Sequence, residues 1–390
     1  MKITIVTSQY PPQIGGVGHS AHRIANMLSR KGLDVHVIVV QKSAEPLPFD
    51  ECISTQPEGP ITVHRVQVFH EGLRADSTRS ESEILTRFNR ELFQAVLHLQ
   101  NLYQYDLLHG FFLYPAGYVA AMVGSLCGKK VVVSIRGNDV GKYAFDPIRL
   151  PFIRIALEKA TYVTSVASNL IDLADRTLVP IRHKSKTILN SVDLEKLKIT
   201  FQPDLPLRGL VIGTTGLFRY KKGLIYLFKA LANLKDELEF TLLLAGDFFK
   251  PEDKEPHLHA LRQYNLSDRT IITGKIPSDQ MANYLQLFDI LVYPSLYSEG
   301  CPLSMLEAMA LGRAIIGSHV GAIPEILSNR ENGILVQPGN SKDIEQAIRE
   351  LAGDKKLRER LGAAAKQTVQ QLNNDVELDQ WLEIYEKMLK

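Results

Sequence analysis

Cysteine is scarce. Three residues in 390, Cys52, Cys127 and Cys301, show no C-x-x-C spacing, which is too few for a disulfide framework or a cysteine-rich metal site and suits a reducing compartment. Neither sign of charge dominates, since 45 Lys and Arg face 43 Asp and Glu for a formal charge of +2. A polyanion-coating surface and an acidic tail are thereby excluded, and any phosphate must be held by a local arrangement. There is no D-x-D, so no obvious carboxylate pair for a metal-bridged diphosphate, and no G-x-G-x-x-G, so no dinucleotide fingerprint.

Long apolar runs are missing as well. The opening MKITIVTSQYPP has no extended hydrophobic core and no small-residue cleavage site, so it reads as a first strand rather than a signal peptide, and cytoplasm is the expected location. The stretch GFFLYPAGYVAAMVGSLCG, residues 110 to 128, is uncharged and long enough to span a bilayer. It contains Pro115, however, and divides into a strand end, a turn at Tyr114-Pro115 and a buried helix.

What the chain does have is alternation. ITIVTS, the helical VGHSAHRIANMLSRKG and DVHVIVV form a strand, helix, strand unit, and DLLHGFF, KVVVSIRG, YVTSVAS and KTILN continue it to about residue 190. A second series restarts at LVIGTTG and runs through TLLLAG, TIITG, ILVYPS, AIIGSHV and GILVQPG. Such alternation predicts parallel sheets covered by helices, with ligands at the carboxyl ends of the strands, and two series in tandem predict a cleft between two sheets. The polar stretch 191 to 209 is the expected linker. The chain thus parses into a domain over 1–195, a second over 205–370, and a last helix over 371–390 expected to pack back on the first. The helical region beginning at SKDIEQ is expected to open on Ser341 as its cap.

The most informative stretch is EGCPLSMLEAMALG, residues 299 to 312. Pro302 suits the start of a helix, where its missing N–H costs nothing, and Gly312 suits the end. The amides of Leu303 and Ser304 are then free to face an anion, aided by the positive end of the helix dipole. Glu307, five residues beyond Pro302, stands about 7.5 Å up the axis, roughly the separation between a diphosphate and its ribose. A carboxylate there accepts two hydrogen bonds from a cis-diol, and Glu299 in the preceding turn would face the sugar end. The plainer alternative is a solvent-facing Glu307 and a Glu299 that merely complements the helix dipole.

The two acids at this spacing, with PPQIGGVG, ILNSVDLEKL, GLFRYKKG, LLLAGD, ITGKI and HVGAIPEI, resemble the retaining glycosyltransferases of family four, along nearly the whole chain. The resemblance implies a GT-B fold, α/β, with two Rossmann-like domains facing each other across a cleft. It implies a donor site in the second domain: Glu307 on ribose, Glu299 on the transferred sugar, Gly300 and Cys301 backbone on that sugar, Leu303 and Ser304 on the diphosphate. Gly216, Arg219 and Lys222 fall in a basic turn that would neutralise the leaving diphosphate. The family's usual arginine is replaced by Leu217, and Arg219 is the candidate substitute. Thr273, Gly274 and Ile276 match the loop that meets the base.

In the first domain Gly15 and Gly16 fit a close backbone approach to the donor, or a simple tight turn. His109 matches a strand-end position near the reacting sugar, as catalyst or as packing, with Phe111 where the family often has a second histidine. Arg136 and Asp139 become acceptor contacts. The reaction implied is metal-independent, retaining transfer from a nucleoside-diphosphate sugar, UDP-glucose being the commonest donor, to a hydroxyl of a glycan or lipid-linked glycan in polysaccharide biosynthesis. No cofactor beyond the nucleotide-sugar co-substrate, no metal and no nucleic acid is expected. The resemblance allows peripheral contact with the inner face of a membrane. A nucleotide-sugar epimerase of the same architecture and a non-catalytic nucleotide-sugar binding protein remain rival readings.

Overall fold

A computed structural model describes residues 1–12, 15–74, 77–297 and 299–390. The chain divides into two compact units: Met1–Leu189 with Glu377–Lys390, and Asn190–Val376. The division falls before the polar linker expected from composition, because residues 190–192 are tied into the second unit. There Asn190 donates to the Cys301 carbonyl, Ser191 to Asn374 Oδ1, and the Val192 amide to the Leu372 carbonyl.

The first unit holds β1 (Lys2–Thr7), β2 (Asp34–Ser43), β3 (Ile53–Glu58), β4 (Ile61–Phe69), β5 (Leu107–Phe111), β6 (Lys130–Ile135), β7 (Tyr162–Ser165) and β8 (Ser185–Thr187). Their order is β3-β4-β2-β1-β5-β6-β7-β8, parallel except for β3 against β4. The central strands are buried almost end to end, as the near-continuous β-branched runs of β1, β2 and β6 require of a sheet covered on both faces. The β3–β4 hairpin was not legible from the alternation: ISTQPE is mostly exposed, and edge strands carry little apolar signal.

The uncharged run 110–128 resolves as expected into the end of β5, a bend over Leu113–Gly117 and a helix over Tyr118–Cys127. Among the described residues no helix is long and apolar enough to cross a membrane. The last helix, Asn374–Leu389, completes this unit's core. Trp381 and Tyr385 are almost fully buried beside Ile3, Ile5 and Ile24. Glu377, at the head of the same helix, takes two hydrogen bonds from Arg23 and one from the Trp381 indole.

The second unit carries β9 (Leu210–Phe218), β10 (Phe240–Phe248), β11 (Thr270–Ile272), β12 (Ile290–Tyr293), β13 (Ala314–Ser318) and β14 (Ile334–Val336). The order is β11-β10-β9-β12-β13-β14, all parallel. Strand order reverses between β9 and β12, which pair through Ile290 with Ile212 and Leu291 with Gly213. Loops leaving these two strands diverge to opposite faces, so a crevice opens between them.

The helical region after residue 340 differs from expectation in its cap. Its cap is Asn340, whose Oδ1 accepts from the amides of Lys342 and Asp343, rather than Ser341, the first helical residue. It also breaks at Asp354, which caps a second helix by accepting from the Leu357 amide.

Trp381→Ala should destabilise the first unit by about 3–5 kcal/mol through the cavity it leaves. Thermal unfolding would show it as a drop of roughly 2–4 °C per kcal/mol. A midpoint within a degree of wild type would mean that the terminal helix is not part of this core.

Candidate functional site

The β9–β12 crevice is built from two loops. After β9 the chain makes a tight turn over Tyr220–Lys222 and enters the helix Leu224–Leu234. After β12 it runs from Pro294 to Pro302 and enters the helix Leu303–Ala310. Pro302 is the residue just before the first helical one, so the Leu303 and Ser304 amides open the helix with no carbonyl available to them within it.

The two loops are locked together. The Leu296 amide donates to the Lys221 carbonyl at 2.9 Å. Gly223, in the left-handed region at φ +67, packs so tightly that a Cβ there would lie 2.0 Å from the Pro294 carbonyl oxygen. Gly321, at φ +57, is likewise required, because a Cβ would meet the Glu299 carbonyl oxygen at 1.7 Å. Behind the loop, Asn190 Nδ2 holds the Cys301 carbonyl at 2.7 Å.

These constraints bring Glu299 against Lys222. Glu299 Oε1 lies 2.7 Å from Lys222 Nζ and accepts from Ser295 Oγ at 2.7 Å, with the residue only 6% exposed. Burial alone would raise this carboxyl. Lys222 and Lys221 beside it, with the hydrogen bonds from Lys222 and Ser295, carry it down to about 2. Glu307, on the helix itself, has no such partner among the described residues, and burial pushes it up to about 7. The two acids are thus set in opposite directions by their surroundings.

Arg219 is turned differently from Lys222. Its guanidinium lies over the Phe249 ring at 4.8 Å from the centroid, and its Nε is buried without a hydrogen-bond partner. Lys221, which motif matching passed over, is half-buried and acts on Glu299. Burial pushes its ammonium down to about 8, Glu299 opposing and Lys222 and Arg219 adding to the effect. The available signal was the doubled lysine of RYKKG, of which the resemblance matched one. Three cations and one carboxylate share this end of the sheet beside a helix N-terminus, an arrangement suited to a multiply charged anion.

The remaining candidates of this unit lie at the same carboxyl edge. Gly216, at φ +122, has open space where a side chain would stand, as does Gly274 at φ +73. The Thr273 hydroxyl accepts from the Gly246 amide and donates to the Gly274 carbonyl, so it shapes the loop. Ile276 is partly buried and Gly300 half-buried.

In the first unit the assignments change. Gly15 is extended, and Gly16 begins the helix Gly16–Arg30 with open space around it. His109 is fully buried; its Nδ1 pairs with the Tyr385 hydroxyl and its Nε2 with Ser134 Oγ, each at 2.7 Å. Burial, then the charge of Arg136, lowers it to about 3. With both nitrogens engaged and the ring held neutral, His109 ties the last helix to the sheet and is not available as a catalyst. Asp139 is also withdrawn from the acceptor role: its carboxylate is fully buried and accepts from the amides of Leu113, Arg136, Gly137 and Val140. Burial raises this carboxyl against those four bonds. Arg136 lies over the Phe111 ring, 4.4 Å from its centroid.

Two family models match the chain in succession, Glycosyltransferase Family 4 over residues 14–196 and Glycosyl transferases group 1 over residues 195–368. The N-acetyl-alpha-D-glucosaminyl L-malate synthase of Bacillus anthracis is 24% identical, covering 100% of this chain and 98% of its own. The sucrose-phosphate synthase of Thermosynechococcus elongatus superposes with a TM-score of 0.80 at 20% identity, over 100% of this chain and 99% of that one. Anabaena HepE in complex with UDP-glucose superposes with a TM-score of 0.72 at 17% identity, over 99% of this chain and 100% of that one.

Glu307 yields a test independent of any ligand. A carboxyl whose folded value is raised favours the folded state fully below its unfolded value near 4.5, and that contribution disappears as pH rises through about 7. Glu307→Gln cannot ionise, so relative to wild type it should gain in melting temperature between pH 5 and pH 8. A pH-independent difference between the two proteins would show that Glu307 is not desolvated.

Proposed function

Because the chain belongs to the glycosyltransferases of family four, with the GT-B fold, we propose that its second unit binds a nucleoside-diphosphate sugar and that the enzyme transfers the sugar with retention. The observation that carries this reading is the Lys222–Glu299 pair at the switch point, beside the open helix tip at Leu303 and Ser304 and one turn from Glu307. The diphosphate caps the helix, Glu307 takes the ribose hydroxyls, and Glu299 orients the sugar. Lys222, Lys221 and Arg219 stabilise the charge that develops on the departing diphosphate.

Glu299 is a poor nucleophile in this arrangement. Held at about 2 by an ion pair and a hydrogen bond, it has little tendency to attack carbon or to take a proton. Front-face attack accounts for retention without it: the anomeric C–O bond to diphosphate breaks, the acceptor oxygen bonds to the same face, and the leaving phosphate receives the acceptor proton. The lysines and the helix tip carry the charge that a divalent ion would otherwise neutralise.

The donor is a UDP-sugar such as UDP-glucose, supported by the complex that HepE forms. The acceptor is a hydroxyl of a glycan or lipid-linked glycan. The name of the Bacillus anthracis relative, an N-acetyl-alpha-D-glucosaminyl L-malate synthase, extends the acceptors worth assaying to small hydroxy acids.

A thermal-shift screen of nucleotide-sugars identifies the donor, since a true one stabilises the folded state by mass action. Glu299→Ala should lower kcat about 10²- to 10³-fold, as loss of a preorganised electrostatic contact does, with little change in donor affinity. Lys222→Ala should slow hydrolysis of the donor in the absence of acceptor. Equal losses of affinity and turnover in the first variant, or unchanged hydrolysis in the second, would contradict these roles. Donor consumed without acceptor to give an isomeric nucleotide-sugar would identify an epimerase instead, and donor bound but never cleaved a binding protein.

A further inference from the structure

Ser295, two residues beyond β12, is 1% exposed and donates from Oγ to Glu299 Oε1 at 2.7 Å. Its neighbours on both sides are fixed to the turn that follows β9. Pro294 carries the carbonyl against which Gly223 is packed, and the Leu296 amide donates to the Lys221 carbonyl. The hydroxyl is therefore held in place relative to Lys222, whose ammonium lies 2.7 Å from the same Oε1. Glu299 is also held at its backbone, where its carbonyl accepts from the Ala322 amide at 3.3 Å.

Both side-chain contacts of Glu299 fall on one oxygen. Among the described residues no hydrogen bond or ion pair is made to Oε2, which keeps its lone pairs for another donor. A serine that only shapes its loop bonds to nearby backbone. Ser165, at the end of β7, does so: its Oγ donates to the Ala167 carbonyl and accepts from the Ala167 amide. Ser295 gives its proton to a carboxylate instead, a charge-assisted bond about twice as strong as a neutral one.

We propose that Ser295 is a positioning residue for sugar transfer: with Lys222 it fixes Oε1 of Glu299, so that Oε2 is the oxygen presented to the hydroxyls of the transferred sugar. A carboxylate held by Lys222 alone could turn about its broad terminal torsion and exchange its two oxygens. A second, immobile partner removes that freedom before the nucleotide-sugar arrives, and the contact then acts in the transition state without reorganisation. This inference rests on the donor-site reading above and adds a residue to which neither spacing nor resemblance gave a role.

Ser295→Ala removes the hydroxyl and little else. The measurements are release of UDP from UDP-glucose and from UDP-N-acetylglucosamine without acceptor, and calorimetric titration with UDP. With the better of the two sugars, kcat of the variant should fall about ten- to hundredfold, the worth of a hydrogen bond to a charged group. KM and the affinity for UDP should stay within about twofold of wild type. In the Glu299→Ala background the same substitution should cause no further loss, because the group it positions is gone. Should Ser295→Ala fail to fold, Ser295→Cys, close in size and a much weaker hydrogen-bond donor, should give the same split between kcat and affinity.

An unchanged kcat, a loss of UDP affinity equal to the loss of turnover, or a further loss in the Glu299→Ala background would each overturn the inference. The last two are what a serine that merely braces the loop would produce. A wild-type protein that does not bind UDP, or that binds it and releases none from either sugar, would sink the donor-site reading itself. A wild type that does both, with a Ser295→Ala variant equal to it, sinks the role of Ser295 alone.

Discussion

The contact between Lys222 and Glu299 is the constraint around which the second unit's site is arranged. Two opposite charges at 2.7 Å, with the acid nearly inaccessible to water, attract far more strongly than the same pair on a surface. Removing one partner would leave the other buried and uncompensated. The pair requires loops separated by more than 70 residues to meet, and they do so because β9 and β12 are neighbours at the point where strand order reverses. Gly223 and Gly321 are necessary for the same reason, since any side chain at either would occupy the backbone of the Glu299 loop.

The charge balance of the crevice follows from this pair. Lys222 is neutralised by Glu299, whose charge also acts on Lys221, and with Arg219 the three cations outnumber that one carboxylate beside the positive tip of a helix. An excess of positive charge in a half-buried place is unfavourable in the empty protein and favourable once an anion enters. The depressed ammonium of Lys221 is one sign of that cost, and the stranded Nε of Arg219 is another. Glu307 experiences the opposite imbalance, a carboxylate raised by burial with no cation to offset it among the described residues. Hydroxyl donors from a ribose would relieve it.

Much of the architecture was legible in the residues. Strands buried on both faces gave unbroken β-branched runs, and the uncharged run 110–128 betrayed its bend by Pro115. The β3–β4 hairpin was hidden because an exposed edge strand has no apolar alternation to read. Asn340 was missed as a cap beside a serine equally able to serve. At the site, Glu299 and Glu307 were found by spacing and Lys222 through the resemblance, whereas Lys221 was not, since a second lysine carries no pattern of its own. His109 and Asp139 illustrate the converse error. His109 lies within β5 and Asp139 in the short helix after β6, and both have every polar atom engaged by Tyr385, Ser134 or backbone amides.

By itself, then, the order of residues determined which segments become strands and helices, that two parallel sheets form, and where an open helix tip with two acids would lie. These are local properties, set by periodicity, capping chemistry and backbone preference within a few turns of chain. Tertiary structure alone decided which charges touch, which titrate upward or downward, and which polar side chains are consumed in holding the core. Those outcomes depend on burial and on neighbours distant in sequence, because the strength of an electrostatic contact is fixed by the water excluded around it and not by the identity of the residue that carries it.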